Sequence, residues 1–335
     1  FVSGVVEAGA NRYWVAPDDG LGDKMWHDNA NWSTTSGGSG GATAPVVGSL
    51  VAVFDGNSTV DAKLGANVWK AKQVKVLLAY TGTIDLNGYH LAVRRNIVIN
   101  GGNVAVSANS FLQTWRDLVI NSGGTVTASG VGSKIKVKNN LKLYGELTAP
   151  GGDHTRFILR GGFNLYSGGT FNHNNGTVTM NTRYSSPGAA INIQNGPGTG
   201  RNFYNLYKNS NRIAYLSKNI EIENDLTVNG SGQLKAQTKD ITIGGDWDIT
   251  YSSNFNDGSG KVIFNGSSAQ TIKSPANFND VQISNSDVSL SRNVTIADTL
   301  TIDSGATLDI NGYNLTVATL TNNGNLQLQG GETVA

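Results

Sequence analysis

The chain of 335 residues has no cysteine, few prolines and few charges, and each shortage excludes a class of protein. Without cysteine there is no disulfide framework, no thiol nucleophile and no thiolate metal site. Charged residues make up 15% of the chain against an average of about 25%, which disfavours a helical protein with a charged surface. Lys and Arg total 25 and Asp and Glu total 24, so we expect no nucleic-acid partner. No apolar run approaches the roughly 20 residues of a membrane-spanning helix, so we expect no membrane insertion.

What the chain does have is abundant glycine and many short runs in which apolar and polar residues alternate. Typical runs are 135–137, 220–222 and 326–328. Alternation with a period of two is typical of half-buried strands, and the Asn-Gly, Gly-Gly and Ser-Gly pairs between the runs indicate tight turns. The sequence therefore predicts an all-β protein.

Internal repeats decide between all-β architectures. Residues 84–93 recur as 308–317, and Leu141, Leu226 and Leu300 open similar phrases. The spacing of these copies predicts a super-repeat of about 75 residues, which divides into coils of roughly 20 to 25 residues, within the range of stacked repeats. We expect a single-stranded parallel β-helix, or β-solenoid, because each coil must stack on its neighbours to bury its apolar face. Tandem β-sandwich domains are the alternative.

Residues 1–70 lie outside the repeat and contain Trp14, Trp26, Trp32 and Trp69. We interpret 1–70 as an irregular, Trp-rich N-terminal cap, since a solenoid must cover its first coil. The β-helix body is predicted at 71–335, with a loop insertion near 182–202. Exposed aromatic rings could instead stack on sugars, and Trp26, Trp32 and Tyr204 are the candidate glycan contacts.

The phrases around Asn31-Trp32-Ser33 and Val53-Phe54-Asp55-Gly56 resemble the start of passenger regions in autotransporter-type bacterial surface proteins. The phrases at 176–181, 308–317 and 320–326 resemble repeat-rich, β-helical extracellular proteins of bacteria, such as filamentous adhesins. This resemblance implies secretion, a β-helix, adhesion and surface assembly. It places the protein outside the cell or on the surface of a bacterium or archaeon.

No catalytic residue is predicted, and the protein is not expected to be an enzyme. Glu221 and Glu223 alternate with apolar residues and should face solvent, although paired carboxylates on neighbouring coils would suit a polysaccharide-acting enzyme. No cofactor is expected, except that Asp18, Asp19 and Asp23 form a weak candidate for Ca²⁺.

The favoured hypothesis is a secreted structural protein that forms an extracellular filament or surface assembly by head-to-tail contacts between copies of itself. Strand-like segments at both termini motivate it, because a free strand edge accepts another strand and head-to-tail addition does not close. A glycan-binding adhesin is the alternative. The candidate assembly residues are Phe1, Val2, Val5, Val6, Leu326, Leu328 and Val334.

Overall fold

The computed structural model describes residues 10–20, 22–182, 189–273 and 277–335. Over these residues the chain is all-β, with no α-helix and two short 3-10 turns at Asn29–Asn31 and Ser252–Asn254. Parallel strands stack into a β-solenoid of about 13 turns, which confirms the predicted fold class. Val74, Ile97 and Leu118 occupy equivalent positions of successive coils, and their spacing is that of the short coils predicted from the sequence. None of the described helical segments is long and apolar enough to cross a bilayer.

The chain divides into two compact units, residues 1–150 with 168–170, and residues 151–167 with 171–335. In the first unit, each coil contributes one strand to each of three sheets. Sheet 1a contains Trp32–Ser33, Ala10–Trp14, Leu50–Phe54, Gln73–Val76, Ile97–Ile99, Leu118–Ile120 and Leu141–Leu143. Sheet 1b contains Lys24–Met25, Ala62–Lys63, Thr83–Asp85, Asn103–Ala105, Thr125–Thr127 and Glu146–Thr148. Sheet 1c contains Val68–Ala71, His90–Val93, Phe111–Thr114 and Lys134–Val137.

The second unit repeats this three-sided plan, and the strand Thr170–Asn172 spans the sequence boundary between the units. Sheet 2a contains Phe163–Leu165, Ala189–Ile193, Ala214–Leu216, Leu234–Lys235 and Phe255–Asn256. Sheet 2b contains Gly152–Leu159, Gly176–Met180, Asn205–Asn209, Leu226–Asn229, Trp247–Ile249, Gln270–Ile272, Val288–Leu290, Thr307–Asp309 and Asn325–Gln327. Sheet 2c contains Ile220–Ile222, Ile241–Ile243, Lys261–Phe264, Asp280–Ile283, Asn277–Phe278, Val294–Ile302 and Leu315–Asn322.

The core follows directly from the alternation in the sequence. In Ile97–Ile99 and Ile241–Ile243 the first and third residues are fully buried, whereas the second residue is half-buried and lies on the solvent-facing side of the strand. Parallel pairing in register places each inward side chain on the equivalent side chain of the next coil, as Ile241 lies on Val262. Burying a side chain of this size contributes about 1.5–3 kcal/mol, so the repeated inward pairs stabilise the stack.

The corners use left-handed backbone where the sequence has Asn-Gly. Asn87 and Gly88 have φ of 48° and 82°, and Asn311 and Gly312 have φ of 49° and 79°. Glycine tolerates this region because it has no Cβ, and Asn is among the commonest exceptions to glycine. The preceding Asp85 accepts a hydrogen bond from the Asn87 backbone N–H (2.8 Å), and the Asn87 amide donates to Leu64 O in the previous coil (3.0 Å). The phrase that recurs at 84–93 and 308–317 thus specifies a corner of the solenoid.

A second device links successive coils just before their strands. Asn96 Oδ1 accepts a hydrogen bond from the Asp117 N–H (3.1 Å), and Asp117 Oδ1 accepts from the Asn140 N–H (3.1 Å). Each acceptor thereby satisfies a backbone donor one coil ahead, which an isolated corner would leave unpaired. The same bond joins the pairs Asp61–Thr83, Asn67–His90, Asn205–Asp225, Asn219–Asp240, Asp225–Asp246, Asp240–Lys261, Asp280–Thr299, Asn293–Asn314 and Asn314–Thr333.

Tryptophan fills the start of the solenoid, as the predicted cap requires. Trp14, Trp26 and Trp32 are fully buried, and each ring centroid lies 5.5 Å from that of Phe54, while Trp32 lies 5.1 Å from both Trp14 and Trp26. The strand Ala10–Trp14 runs parallel to Leu50–Phe54 and antiparallel to Trp32–Ser33. The antiparallel partner covers one edge of the sheet, which parallel coils alone would leave open.

The super-repeat predicted from the sequence does not correspond to a whole number of turns. Leu226 lies in sheet 2b, whereas Leu300, which opens the next copy of the same phrase, lies in sheet 2c. Each recurring phrase forms a strand followed by a corner, and copies of the same phrase occur in different sheets of the solenoid. Within the interval 182–202, predicted as a loop insertion, Ala189–Ile193 forms a strand of sheet 2a.

Candidate functional site

Leucine side chains in the most C-terminal described coil are exposed at positions whose partners one coil earlier are buried. Leu320 lies in register on Leu300, and Leu326 on Leu308. Leu300 and Leu308 are at most 1% exposed, whereas Leu320 is 39% exposed and Leu326 is half-buried. We call residues 315–335 the terminal coil.

The same coil shows where a further strand would pair. Leu315–Asn322 is bonded along its length to Val294–Ile302 on one side. On its other side, residues 333–335 begin the next turn: the Leu315 N–H donates to Thr333 O (3.0 Å) and the Val317 N–H to Ala335 O (2.8 Å). Among the described residues, no strand pairs with 318–322 on this side.

Three of the seven predicted assembly residues belong to the terminal coil. Leu328 is 56% exposed, Val334 is 39% exposed and bridges to Leu315, and Leu326 lies in the final strand. The other four, Phe1, Val2, Val5 and Val6, lie outside the described residues. Leu326 belongs to sheet 2b, whereas Val334 bridges to sheet 2c, so these residues lie on different sides of the solenoid.

Two of the three predicted glycan contacts lie in the core rather than on the surface. Trp26 and Trp32 are fully buried, so neither ring presents a face to a sugar, and Trp32 Nε1 donates to Trp26 O (2.7 Å) inside the cap. Their burial follows from the need to fill the first coil. Tyr204 is half-buried and stacks on His173, with ring centroids 5.6 Å apart. Trp69 is the cap-region tryptophan that does face solvent, at 51% exposure.

The three aspartates proposed for Ca²⁺ do not assemble into a site. Asp19 pairs with Lys24 (2.5 Å) and Asp23 with Lys63 (3.4 Å), while Asp18 is exposed. Among the described residues, no group of three metal-ligating side chains converges. Lysine partners compete for the carboxylate charge that a hard cation needs.

A polar cleft of about 470 Å³ lies in the second unit and is lined by Glu221, Glu223, Asp225 and Asp246. The two aspartates of this cleft form bonds to neighbouring coils. Asp225 accepts a hydrogen bond from the Asp246 N–H (2.8 Å), and Asp246 forms an ion pair with Lys273 Nζ (2.5 Å). This bond raises the pKa of Lys273.

Glu223 belongs to a small cluster on the outer surface. His173 Nδ1 accepts the Asn175 N–H (3.1 Å), which leaves Nε2 directed at Glu223 Oε2 (3.1 Å). Asn202 Nδ2 also reaches Glu223, at 3.4 Å. Both oxygens of Glu223 thus accept hydrogen bonds, and the carboxylate positions the His173–Tyr204 stack.

The sequence analysis missed a buried charge, Lys208. Its side chain is fully buried, in register between Met180 and Val228. Nζ donates to the carbonyl oxygens of Ser210 (2.8 Å) and Gly232. Burial lowers the pKa of Lys208 to about 8. The alternation of 205–209 places Lys208 in phase with buried Leu206, and this was the available signal.

The chain matches no protein-family model, and neither a curated protein nor a solved structure is significantly similar to it. None of these comparisons supports the resemblance to bacterial surface proteins, and what the structure shows is a β-solenoid of about 13 turns.

Proposed function

We propose that this protein is a structural β-solenoid that associates with copies of itself through the terminal coil. The observation that carries the proposal is the exposed inward row of that coil. Leu320 and Leu328 occupy positions whose equivalents one coil earlier are buried. Covering this row with another coil removes apolar surface from water.

We propose that this association is head-to-tail, with the terminal coil of one copy against a different surface of the next, which makes the contact heterologous. Heterologous contacts that do not close give filaments. We propose an extracellular or cell-surface location for such an assembly, of the kind found in bacterial and archaeal surface proteins. Supporting features are the absence of cysteine, the low charge content and the abundance of Asn, Thr, Ser and Gly.

Sedimentation velocity of the full chain over a hundredfold concentration range tests the proposal. We expect the mean mass to rise with concentration, and Leu328→Lys to reduce this rise because it places a charge on the apolar row. Leu78→Lys is the matched control, since Leu78 is 69% exposed away from the terminal coil. A chain that stays monomeric throughout, or an equal effect of both substitutions, would refute the proposal.

The adhesin alternative now depends on Tyr204 among the residues predicted from sequence. A glycan-array screen of wild type and Tyr204→Ala addresses it. Binding that Tyr204→Ala abolishes, without loss of thermal stability, would favour this second function.

A further inference from the structure

Positive charge is concentrated in one stretch of a chain that is nearly neutral as a whole. Residues 70–142 contain ten Lys and Arg but only two carboxylates, Asp85 and Asp117, so this stretch carries +8 while the whole chain carries +1. The ten cations are Lys70, Lys72, Lys75, Arg94, Arg95, Arg116, Lys134, Lys136, Lys138 and Lys142.

The solenoid gathers most of these cations on one side of the first unit, on sheet 1c and the corner that follows it. Ala71 pairs with Val93, and Thr114 pairs with Val137. The residues that directly follow these paired positions therefore form one row along the solenoid axis. The row consists of Lys72, Arg94, Trp115 and Lys138. Arg95 and Arg116 follow in the neighbouring row, and Lys134 and Lys136 project from the sheet itself. We call this surface the basic face.

Aromatic rings lie along the same face. Trp69, His90 and Phe111 form a continuous row, with centroid distances of 4.9 Å and 5.5 Å. Trp69 is half exposed at the end of the row. Lys138 Nζ lies 4.5 Å above the Trp115 ring, which holds this ammonium group against the surface.

The carboxylates do not neutralise the basic face. Asp117 is buried at the corner, where Lys142 (2.9 Å) and the Asn139 amide (2.6 Å) bind it. Asp85 lies in sheet 1b and caps the Asn87 corner and Ser107. Exposed cations such as Arg94, Arg116 and Lys134 therefore dominate the local potential.

We infer that the basic face binds an anionic polysaccharide with a carboxylate or sulfate on successive sugars. Coils repeat about every 4.8 Å, and each brings at least one cation, so a polymer lying along the axis meets a charge at every repeating unit. The exposed Trp69 ring offers an apolar platform for the C–H face of a sugar at one end. Guanidinium groups bind carboxylates and sulfates through paired hydrogen bonds.

Nucleic acid fits this surface less well. Binding of single strands uses exposed ring faces on which successive bases stack. Here the His90 ring meets Trp69 and Phe111 edge to face, at interplanar angles of 81° and 83°, so the rings contact one another. A nucleic acid could stack one base on Trp69 but would otherwise engage the cations alone.

Isothermal titration of the full chain with polygalacturonate, with a neutral galactan as the uncharged control, tests the inference. We expect binding to polygalacturonate that weakens with salt, because exposed charges are screened within about 8 Å at 0.15 M ionic strength. A triple substitution, Arg94→Glu, Arg116→Glu and Lys134→Glu, should weaken binding at least about tenfold, which is about 1.4 kcal/mol. Trp69→Ala should weaken binding by a factor that persists at high salt.

The matched control changes the net charge equally but elsewhere: Arg212→Glu, Lys218→Glu and Arg292→Glu, all exposed in the second unit. It should leave the affinity within about twofold of wild type. Circular dichroism of each variant establishes that the solenoid is intact. Absence of binding, an equal loss in both triple variants, or tighter binding of single-stranded DNA than of polygalacturonate would overturn the inference. None of these results depends on self-association through the terminal coil.

Discussion

Replacing Lys208 with methionine should stabilise the solenoid near neutral pH and change how its stability depends on pH. Lys208 is the one fully buried lysine among the described residues, and burial lowers its pKa from 10.5 to about 8. At about 1.4 kcal/mol for each pH unit, the difference corresponds to about 3 kcal/mol. This loss of folding free energy is fully present below pH 8, where the folded protein must bury a charged Lys208.

The direction of the pH dependence of stability follows from how many protons the folded and unfolded chains bind. Between pH 8 and 10.5 the unfolded chain retains the Lys208 proton that the folded chain has lost, so the free energy of unfolding of wild type rises with pH relative to the variant. Methionine fills a similar volume next to Met180. It also leaves the Ser210 and Gly232 carbonyls without the Nζ donor, at a cost of about 1–3 kcal/mol, so the net gain at pH 7 should lie between about 0 and 2 kcal/mol.

Chemical denaturation of wild type and Lys208→Met at several values between pH 7 and 10.5 measures this difference directly. Lys235→Met is the control, because Lys235 projects from the outer face of its strand between buried Leu234 and Ala236. Its effect should be constant over the same range. A Lys208→Met effect that is independent of pH, or one that grows as pH rises, would refute the reasoning.

Two further substitutions test the cap and the links between coils. Trp26→Ala should lower the free energy of unfolding by about 3–5 kcal/mol, because it empties a fully buried site among Trp32 and Phe54; unchanged stability in chemical denaturation would show that the ring is not part of the core. Asn205→Ala should cost about 1–3 kcal/mol by leaving the Asp225 N–H without its acceptor (3.0 Å), whereas Asn205→Asp keeps an acceptor oxygen; equal thermal shifts for the two variants would contradict this role.

Local sequence patterns predicted the solenoid because each coil repeats the same short-range physics. Alternation identified inward residues such as Ile135 and Ile220, and the Asn-Gly corners have the left-handed backbone expected of them. The long super-repeat was misleading because similar strand-and-corner phrases serve different sides of the stack, as Leu226 and Leu300 do. The number of coils in a repeat depends on which strands pair with each other, and a short sequence phrase carries no information about that pairing.

The candidate sites were harder to predict because residue type and position gave opposite indications. Tryptophan suits both sugar binding and a core, and only packing shows that Trp26 and Trp32 fill the cap. Lysine suggests an outer position, yet the alternation placed Lys208 inside, and the structure follows the alternation. In a solenoid the phase of a strand outweighs residue type, since turning one residue outward would turn its whole strand.

Charge illustrates the same dependence on architecture. The whole-chain balance of +1 led us to expect no nucleic-acid partner, and it hides the +8 of residues 70–142, which cancels against the rest of the sequence. In a compact fold with long-range connections, such a window would scatter over the surface. In a solenoid the same window covers a few successive coils, and coils that are consecutive in sequence are neighbours in space. Local sums of charge over a few coils therefore describe a real surface, and such a sum is the sequence signal that predicts the basic face.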